Sequence, residues 1–250
     1  MWPTVLSHPY QRSSLLVVAF HTPTSYGKLT AALEACGYKV HVPRMPTTNG
    51  SRPPNANFID DSQLVRNKVD SLVQAGHTVI TIGHSYGAHV MSNALYGLGI
   101  EARSFRGLKG GVSSLLYMAV YLLPEGMSTF DEFEKFGNPE SFVGFDTAED
   151  HTMTVRNPKG MFLSVEDDKT EAESYVQTLC RWNGQAIFQA SEHAAWREIP
   201  ASYIRTTQDL SISTAEQLDM IQGAEKAGRE VQVFTATQSV VDIVNKLVSG

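Results

Sequence analysis

The sequence predicts an α/β fold: a mostly parallel, twisted sheet with helices on both faces and an inserted helical lid. Strand-like and helix-like segments alternate along most of the 250 residues, which is typical of parallel sheets built from strand–helix–strand units. The alternation fades between residues 124 and 200 and then resumes. Because this length suits one large domain with an insertion, we expect a core of residues 1–123 and 201–250 and a lid of residues 124–200.

The predicted strands are short apolar or β-branched runs, and the predicted helices place apolar residues three and four positions apart. Gly37 and Gly76 end the first two helices, as glycine does where the chain turns left-handed after a helix. Asp60, Asp61 or Ser62 is expected to cap the second helix. In chain order the segments are strand 15–20, helix 26–36, strand 38–42, a helix with its apolar face at 64–73, strand 78–82, helix 89–98, strand 114–123, strand 203–205, helix 215–226, strand 230–234 and a closing helix with its apolar face at 240–247.

Composition and charge argue against several classes of function. With a formal net charge of −6 and 18% charged residues, the chain lacks the basic surface that nucleic-acid binding needs. The apolar run at residues 15–20 is too short for a membrane span and has no signal-peptide layout before it. Neither the two cysteines, Cys36 and Cys180, nor any histidine pair has metal-ligand spacing. We therefore expect a cytoplasmic protein without metal or cofactor that binds a small molecule; a monomer and a homodimer both fit.

The clearest functional motif is GHSYG at residues 83–87. It lies between a predicted strand and a predicted helix, and a serine at such a turn adopts a strained conformation that exposes its hydroxyl at a helix N-terminus. A Cβ at Gly83 or Gly87 would crowd the neighbouring strand or helix. Ser85 is therefore a candidate nucleophile, and chemistry at a carbonyl would also require a base and an anion hole.

Five segments carry a resemblance to a known family: VVAFHTP, GYKVHVPRMP, DDSQLVRNKVDSLVQAGHTVITIGHSYGAHV, GVSSLLYMAVYLLPEGMS and IPASYIRTTQD. In this order they resemble the α/β-hydrolase superfamily, in particular the branch of plant hydroxynitrile lyases, methylesterases and their fungal relatives. The resemblance implies that Ser85 is the nucleophile and that the amide of Tyr86 is one anion-hole donor. It also implies that Asp209 is the acid of the triad, with Glu125 as a weaker candidate.

The histidine that completes this triad is missing from its expected place. In this fold the triad runs serine, acid, histidine along the chain, and the histidine follows the last strand. Residues 235–238 read TATQ, and no histidine follows His193. Without its base a serine hydroxyl is a poor nucleophile, and losing the histidine of a serine hydrolase costs on the order of 10⁶ in rate.

The second anion-hole donor is also altered. In the relatives it is a backbone N–H in the loop after the first strand, and the equivalent position here is Pro23, which has no N–H. The hydroxyl of Thr22 is the candidate replacement, since a side chain serves as donor in the lyases of this branch.

Two other histidines are candidates for a substitute base. By resemblance His21 lies at the mouth of the pocket, and His193 lies in the lid. His84 is inside the elbow and is expected to point away from Ser85, and His89 is expected to pack within the helix that follows.

The insertion is dense in aromatic residues, which suggests a lid over an apolar pocket. Most of these rings are expected to build the lid's own core, because aromatic side chains bury large areas wherever they lie. The candidates for lining the pocket are Phe130, Phe162 and Trp196.

Three functions fit these observations. The first is an enzyme that acts on a small, largely apolar oxygenated metabolite by cyclisation, isomerisation, elimination or lyase chemistry, with Ser85, Thr22 and the Tyr86 amide polarising a carbonyl or hydroxyl group. The second is an esterase or lactonase with a relocated histidine base. The third is a non-catalytic protein that uses the pocket to bind a small molecule.

Overall fold

Parallel pairing of short strands builds the central sheet. The computed structural model describes residues 12–17, 20–136, 144–162, 169–207, 209, 211–235 and 240–249. The strands are β1 (Arg12–Val17), β2 (Lys39–His41), β3 (Thr78–Ser85), β4 (Gly111–Val120), β8 (Ala201–Arg205) and β9 (Val231–Thr235). Within the described ranges these six form one sheet in the order β2-β1-β3-β4-β8-β9, and each neighbouring pair is parallel.

Helices cover both faces of this sheet, as the alternating pattern predicts. Successive residues of β3 point to opposite faces. Ile80 and Ile82 pack in a cluster with Ile243, whereas Val79 belongs to the larger cluster that includes Val65. The helices outside the insertion are α1 (Gly27–Ala35), α2 (Phe58–Gln74), α3 (Tyr86–Ala94), α4 (Ile100–Phe105), α8 (Thr214–Lys226) and α9 (Val240–Ser249).

Several element boundaries differ from the sequence prediction. The N-cap of α2 is Asn57, which forms a reciprocal capping box with Asp60, so the three predicted caps lie inside the helix and that prediction is wrong. β1 is described from Arg12 to Val17, and residues 18 and 19 of the predicted strand lie outside the described residues. α3 begins at Tyr86 rather than at residue 89, because the serine turn leads directly from strand to helix.

The insertion between β4 and β8 contains strands as well as helices. Its described residues form the helices α5 (Thr129–Lys135), α6 (Pro158–Phe162) and α7 (Lys169–Val176) and the strands β5 (Phe145–Thr147), β6 (Thr152–Val155) and β7 (Trp182–Asn183). These strands form a small antiparallel sheet in the order β5-β6-β7. The sequence did not predict this sheet, because strands of two to four residues are too short to show a two-residue period.

The insertion is joined to the sheet beside the end of β1. The Cys180 amide donates to the Phe20 carbonyl oxygen at 2.9 Å, and His21 forms a β-bridge with Leu179. Phe20 has a φ of 56°, and its ring stacks on Phe145 at 5.1 Å between centroids. The loop after β1 therefore holds the insertion against the sheet. Within the described ranges, no helix combines the length and apolar composition that crossing a membrane requires.

Candidate active site

The GHSYG motif forms a sharp turn between β3 and α3. Ser85 ends the strand with φ 54° and ψ −139°, a region that residues with a side chain rarely adopt. The turn also brings Gly83 against α3, since a Cβ built on Gly83 would lie 2.5 Å from the Cα of Ala88. A strained serine between a strand and a helix N-terminus is the geometry that the sequence predicts for a nucleophile elbow.

We expect Gly83→Ala to lower the free energy of unfolding by about 1–3 kcal/mol, because overpacking forces neighbouring groups to move. The overlap involves the backbone of Ala88, so relief requires a shift of α3. Urea denaturation measures the effect. Gly27→Ala is the matched control, because nothing lies within 4 Å of a Cβ built there. Equal unfolding midpoints for the two variants would contradict the close packing of β3 on α3.

Ser85 is half-buried, and its hydroxyl is available to hydrogen-bond a bound molecule. Among the residues that the structure describes, none forms a hydrogen bond with it. Tyr86 is the first residue of α3, so its amide is one of the helix N-terminal donors without an intrahelical acceptor. The hydroxyl and the amide are therefore two adjacent donors for an oxygen atom of a bound molecule.

The Tyr86 side chain turns away from the elbow into a buried polar network. Its phenol donates to Asp61 Oδ2 at 3.0 Å. Thr47 donates to the same carboxyl group from its amide at 2.9 Å and from its hydroxyl at 2.6 Å. The indole of Trp182 in β7 donates to the Thr47 hydroxyl oxygen at 3.0 Å. We call Thr47, Asp61, Tyr86 and Trp182 the Asp61 network, and it connects the elbow to the insertion.

Sequence reasoning missed the position of Asp61, which it treated only as a possible helix cap. Asp61 is fully buried, and burial raises the pKa of its carboxyl to about 6, although the hydrogen bonds from Thr47 and Tyr86 oppose the rise. Asp61 lies four residues before Val65, on the apolar face of α2. That spacing is a signal by which the burial of Asp61 could have been found.

Two histidines and two tyrosines lie together beside the elbow. His21 Nε2 and the Tyr175 hydroxyl are 2.6 Å apart, as are His84 Nδ1 and the Tyr26 hydroxyl. The His21 ring centroid lies 5.9 Å from that of His84 and 5.4 Å from that of Phe162. We call these five side chains the His–Tyr cluster. Of the predicted site residues, the structure therefore brings His21 and Phe162 together, next to the residue that precedes Ser85.

The His84 imidazole of this cluster is neutral at physiological pH. Burial, followed by the charge of His21, lowers the pKa of His84 to about 3. Burial also raises the pKa of the Tyr26 phenol well above its usual value. The His84–Tyr26 pair is therefore an uncharged part of the His–Tyr cluster.

The hydroxyl of Thr22 is engaged with the insertion. It donates to the Thr178 carbonyl oxygen at 3.0 Å and shares a hydrogen bond with the Thr24 hydroxyl at 2.7 Å. Pro23 opens a short 3-10 helix, Pro23–Tyr26. Because a hydroxyl has one proton to donate, Thr22 would have to release Thr178 before it could polarise a bound molecule.

The two candidate acids have partners close to them. Asp209 accepts hydrogen bonds from the amides of Ser211 and Ile212, at 2.8 and 3.0 Å, and from the Thr206 hydroxyl at 3.0 Å. These donors belong to its own loop, and no histidine in the described part of the chain bonds to Asp209. Glu125 forms an exposed ion pair with Arg197. Residues 236–239, where relatives carry the histidine, lie outside the described residues.

The structure places His193 away from the elbow, and it gives Trp196 and Phe130 contacts with other residues of the chain. The His193 ring stacks on the exposed Tyr96 at 4.7 Å, beyond the C-terminal end of α3, so the nine-residue helix separates it from Ser85 by about 13 Å. The structure therefore does not bring His193 to the elbow. Trp196 is buried and donates to the Leu123 carbonyl oxygen at 2.8 Å, and Phe130 packs on Phe188 at 4.6 Å.

Comparison with known proteins decides the family. The sequence profile of the alpha/beta hydrolase family matches residues 13–239. The chain belongs to the alpha/beta hydrolase family. It is 25% identical over 202 residues to the alpha/beta hydrolase nvfD of Aspergillus novofumigatus, covering 81% of this chain and 79% of that protein.

Solved structures of this family share the fold. A pyrethroid hydrolase from Sphingobium faniae superposes with a TM-score of 0.70 at 17% identity, covering 96% of each chain. Polyneuridine aldehyde esterase superposes with a TM-score of 0.69 at 18% identity, covering 96% of this chain and 98% of that one. The predicted fold class is thereby confirmed, and this alpha/beta hydrolase family member keeps the strained serine of the fold.

Proposed function

We propose that this chain is an enzyme that moves a proton on a small, largely apolar oxygenated metabolite, in a cyclisation, isomerisation, elimination or lyase reaction. The observation that carries the proposal is the elbow. Ser85 keeps the nucleophile conformation, yet no base bonds to its hydroxyl within the described residues, and the sequence has no histidine after His193. A serine without a base is a poor nucleophile, but its hydroxyl still donates a hydrogen bond.

The remaining groups suit proton transfer next to a carbonyl. The Ser85 hydroxyl and the Tyr86 amide can both donate to a carbonyl oxygen, which stabilises the enolate that forms when a neighbouring carbon loses a proton. His21 and Phe162 lie beside the elbow and offer an apolar ring surface with one imidazole. Such a site needs no covalent intermediate.

Two assays separate this function from hydrolysis. A panel of small apolar ketones, lactones and methyl esters is incubated with the protein in D₂O, and mass spectrometry follows deuterium uptake and acid release. We expect deuterium uptake or a rearranged product for at least one compound, no acid release above buffer, and no labelling of Ser85 by a fluorophosphonate. Ester turnover with labelled Ser85 would contradict the proposal, as would tight binding of panel compounds without any chemical change.

The position of His21 favours an esterase or lactonase as the second candidate. Its ring lies 5.9 Å from the ring of His84, which is adjacent to Ser85 in the chain. In that case His21→Gln abolishes fluorophosphonate labelling, whereas His193→Gln, at the far end of α3, leaves it unchanged.

A further inference from the structure

We propose that Glu132, a buried side chain of helix α5 in the insertion, is the residue that takes the proton from the substrate and returns it. This inference rests on the proposed function, in that it names the acid–base group of the same site.

Glu132 is buried without a hydrogen-bond partner for one of its oxygens. The residue is 2% exposed, and its Oε1 has no partner among the residues that the structure describes. The nearest cation on the same helix, Lys135, pairs with Asp219 instead. Burying a carboxyl oxygen without a hydrogen-bond partner costs free energy relative to leaving it in water. A purely structural role for Glu132 therefore does not explain why a carboxyl group is buried here.

The direction of Glu132 follows from its neighbours on α5. The helix is fixed by a reciprocal capping box at its start. Thr129, one turn earlier, hydrogen-bonds to His89 of α3 at 3.2 Å, and the Phe133 ring lies 5.6 Å from the ring of Tyr121. Because residues three apart share a helix face, Glu132 lies on the same inward face of α5 as Thr129, which contacts α3.

That inward face covers the strand edge on which the elbow lies. Val120 pairs with Ser85 in the β3–β4 register, and Tyr121 follows it. The Tyr203 hydroxyl donates to the Val120 carbonyl oxygen at 2.8 Å and accepts from the Val120 amide at 3.2 Å. Burial chiefly raises the pKa of both phenols, and the Glu132 charge adds to the rise in each. The charge of Glu132 therefore acts on two phenols beside the strand that borders Ser85.

The surroundings of Glu132 suit proton exchange near neutral pH. Burial is the largest cause that raises the pKa of its carboxyl to about 7; Lys135 opposes the rise, and Asp219 and Glu216 add to it. A general acid–base works best when its pKa lies near the operating pH. The titratable groups that interact with Glu132 are Lys135, Glu216, Asp219, Tyr121 and Tyr203, and Asp209 acts on the same two tyrosines.

The step balances without another reactant. The Glu132 carboxylate takes a proton from the carbon next to the substrate carbonyl, and the electron pair of the broken C–H bond moves to the carbonyl oxygen as an enolate. The Ser85 hydroxyl and the Tyr86 amide donate to that oxygen. The protonated Glu132 then returns its proton to a carbon of the enolate or of its conjugated system, which regenerates the carboxylate.

The test compares Glu132→Gln with Glu134→Gln, an exposed residue of the same helix. Deuterium uptake from D₂O into the panel compounds is measured between pH 5 and 9, and circular dichroism checks folding. We expect Glu132→Gln to lower the rate about 10²-fold and to remove the rate change near pH 7, while Glu134→Gln behaves as wild type. Glu132→Asp keeps the carboxyl and is expected to retain part of the rate, which guards against misfolding of the first variant.

The outcomes separate this inference from the proposed function. If the wild type exchanges protons and the two variants Glu132→Gln and Glu134→Gln have the same rate of deuterium uptake, the role of Glu132 is overturned and the proposed function stands. If the wild type hydrolyses the esters instead, the proposed function fails. The hydrolysis rates of the same variants then test the acid–base role of Glu132, and an unchanged rate and pH profile for Glu132→Gln overturn that role. A wild type that binds panel compounds and converts none overturns both.

Discussion

Replacing Asp61 with alanine is expected to lower the free energy of unfolding by about 3–5 kcal/mol. The buried carboxyl accepts hydrogen bonds from the Thr47 amide, the Thr47 hydroxyl and the Tyr86 phenol. Its removal leaves these buried donors unpaired, and each unpaired donor costs about 1–3 kcal/mol. Urea denaturation at pH 7 measures the loss, and Asp70→Ala on the same helix is expected to change stability by no more than about 0.5 kcal/mol. A loss below about 1 kcal/mol for Asp61→Ala would show that the network does not hold α2 to the elbow.

Asp61 also makes stability depend on pH, with the opposite sign to an ion-paired carboxylate. Its folded pKa of about 6 lies above the unfolded value of about 3.9, so the folded state binds the proton more tightly. The stabilisation is therefore complete below the unfolded pKa and is lost as the pH rises through the folded pKa. Relative to Asp61→Asn, which does not titrate, the wild type is expected to lose about 2–3 kcal/mol of unfolding free energy between pH 4 and pH 7. A constant difference between the two proteins over this range would rule out the raised pKa.

Replacing Ser85 with alanine is expected to lower kcat by about 10²–10³, because one donor to the developing oxyanion is lost. The Tyr86 amide remains at the start of α3, so part of the stabilisation survives. The rate of deuterium uptake or product formation measures the effect, and the urea midpoint of the variant checks that the fold is retained. A loss on the order of 10⁶ would indicate covalent catalysis with a working base. Unchanged turnover would remove Ser85 from the mechanism.

Much of the fold could be predicted from the sequence, because strand and helix periods are local patterns. The predicted strand at residues 78–82 and the predicted closing helix with its apolar face at 240–247 correspond to β3 (Thr78–Ser85) and α9 (Val240–Ser249). The start of α2 was predicted wrongly, because several neighbouring residues have capping side chains. The choice of Asn57 depends on which of them meets Asp60 in a capping box.

In the candidate site, too, local sequence patterns determine some features and contacts between distant segments determine the others. The elbow and the missing histidine are determined by the sequence alone: a left-handed serine after Gly83 is a property of a few consecutive residues, and the absence of histidine after His193 is a property of composition. Only the tertiary structure decided which polar groups lie near the elbow. It brings His21 to the cluster, leaves His193 on Tyr96, and buries Asp61 and Glu132. Burial raises the pKa of the Asp61 and Glu132 carboxyls, and the contacts between segments far apart in the sequence cannot be read from residue spacing along the chain.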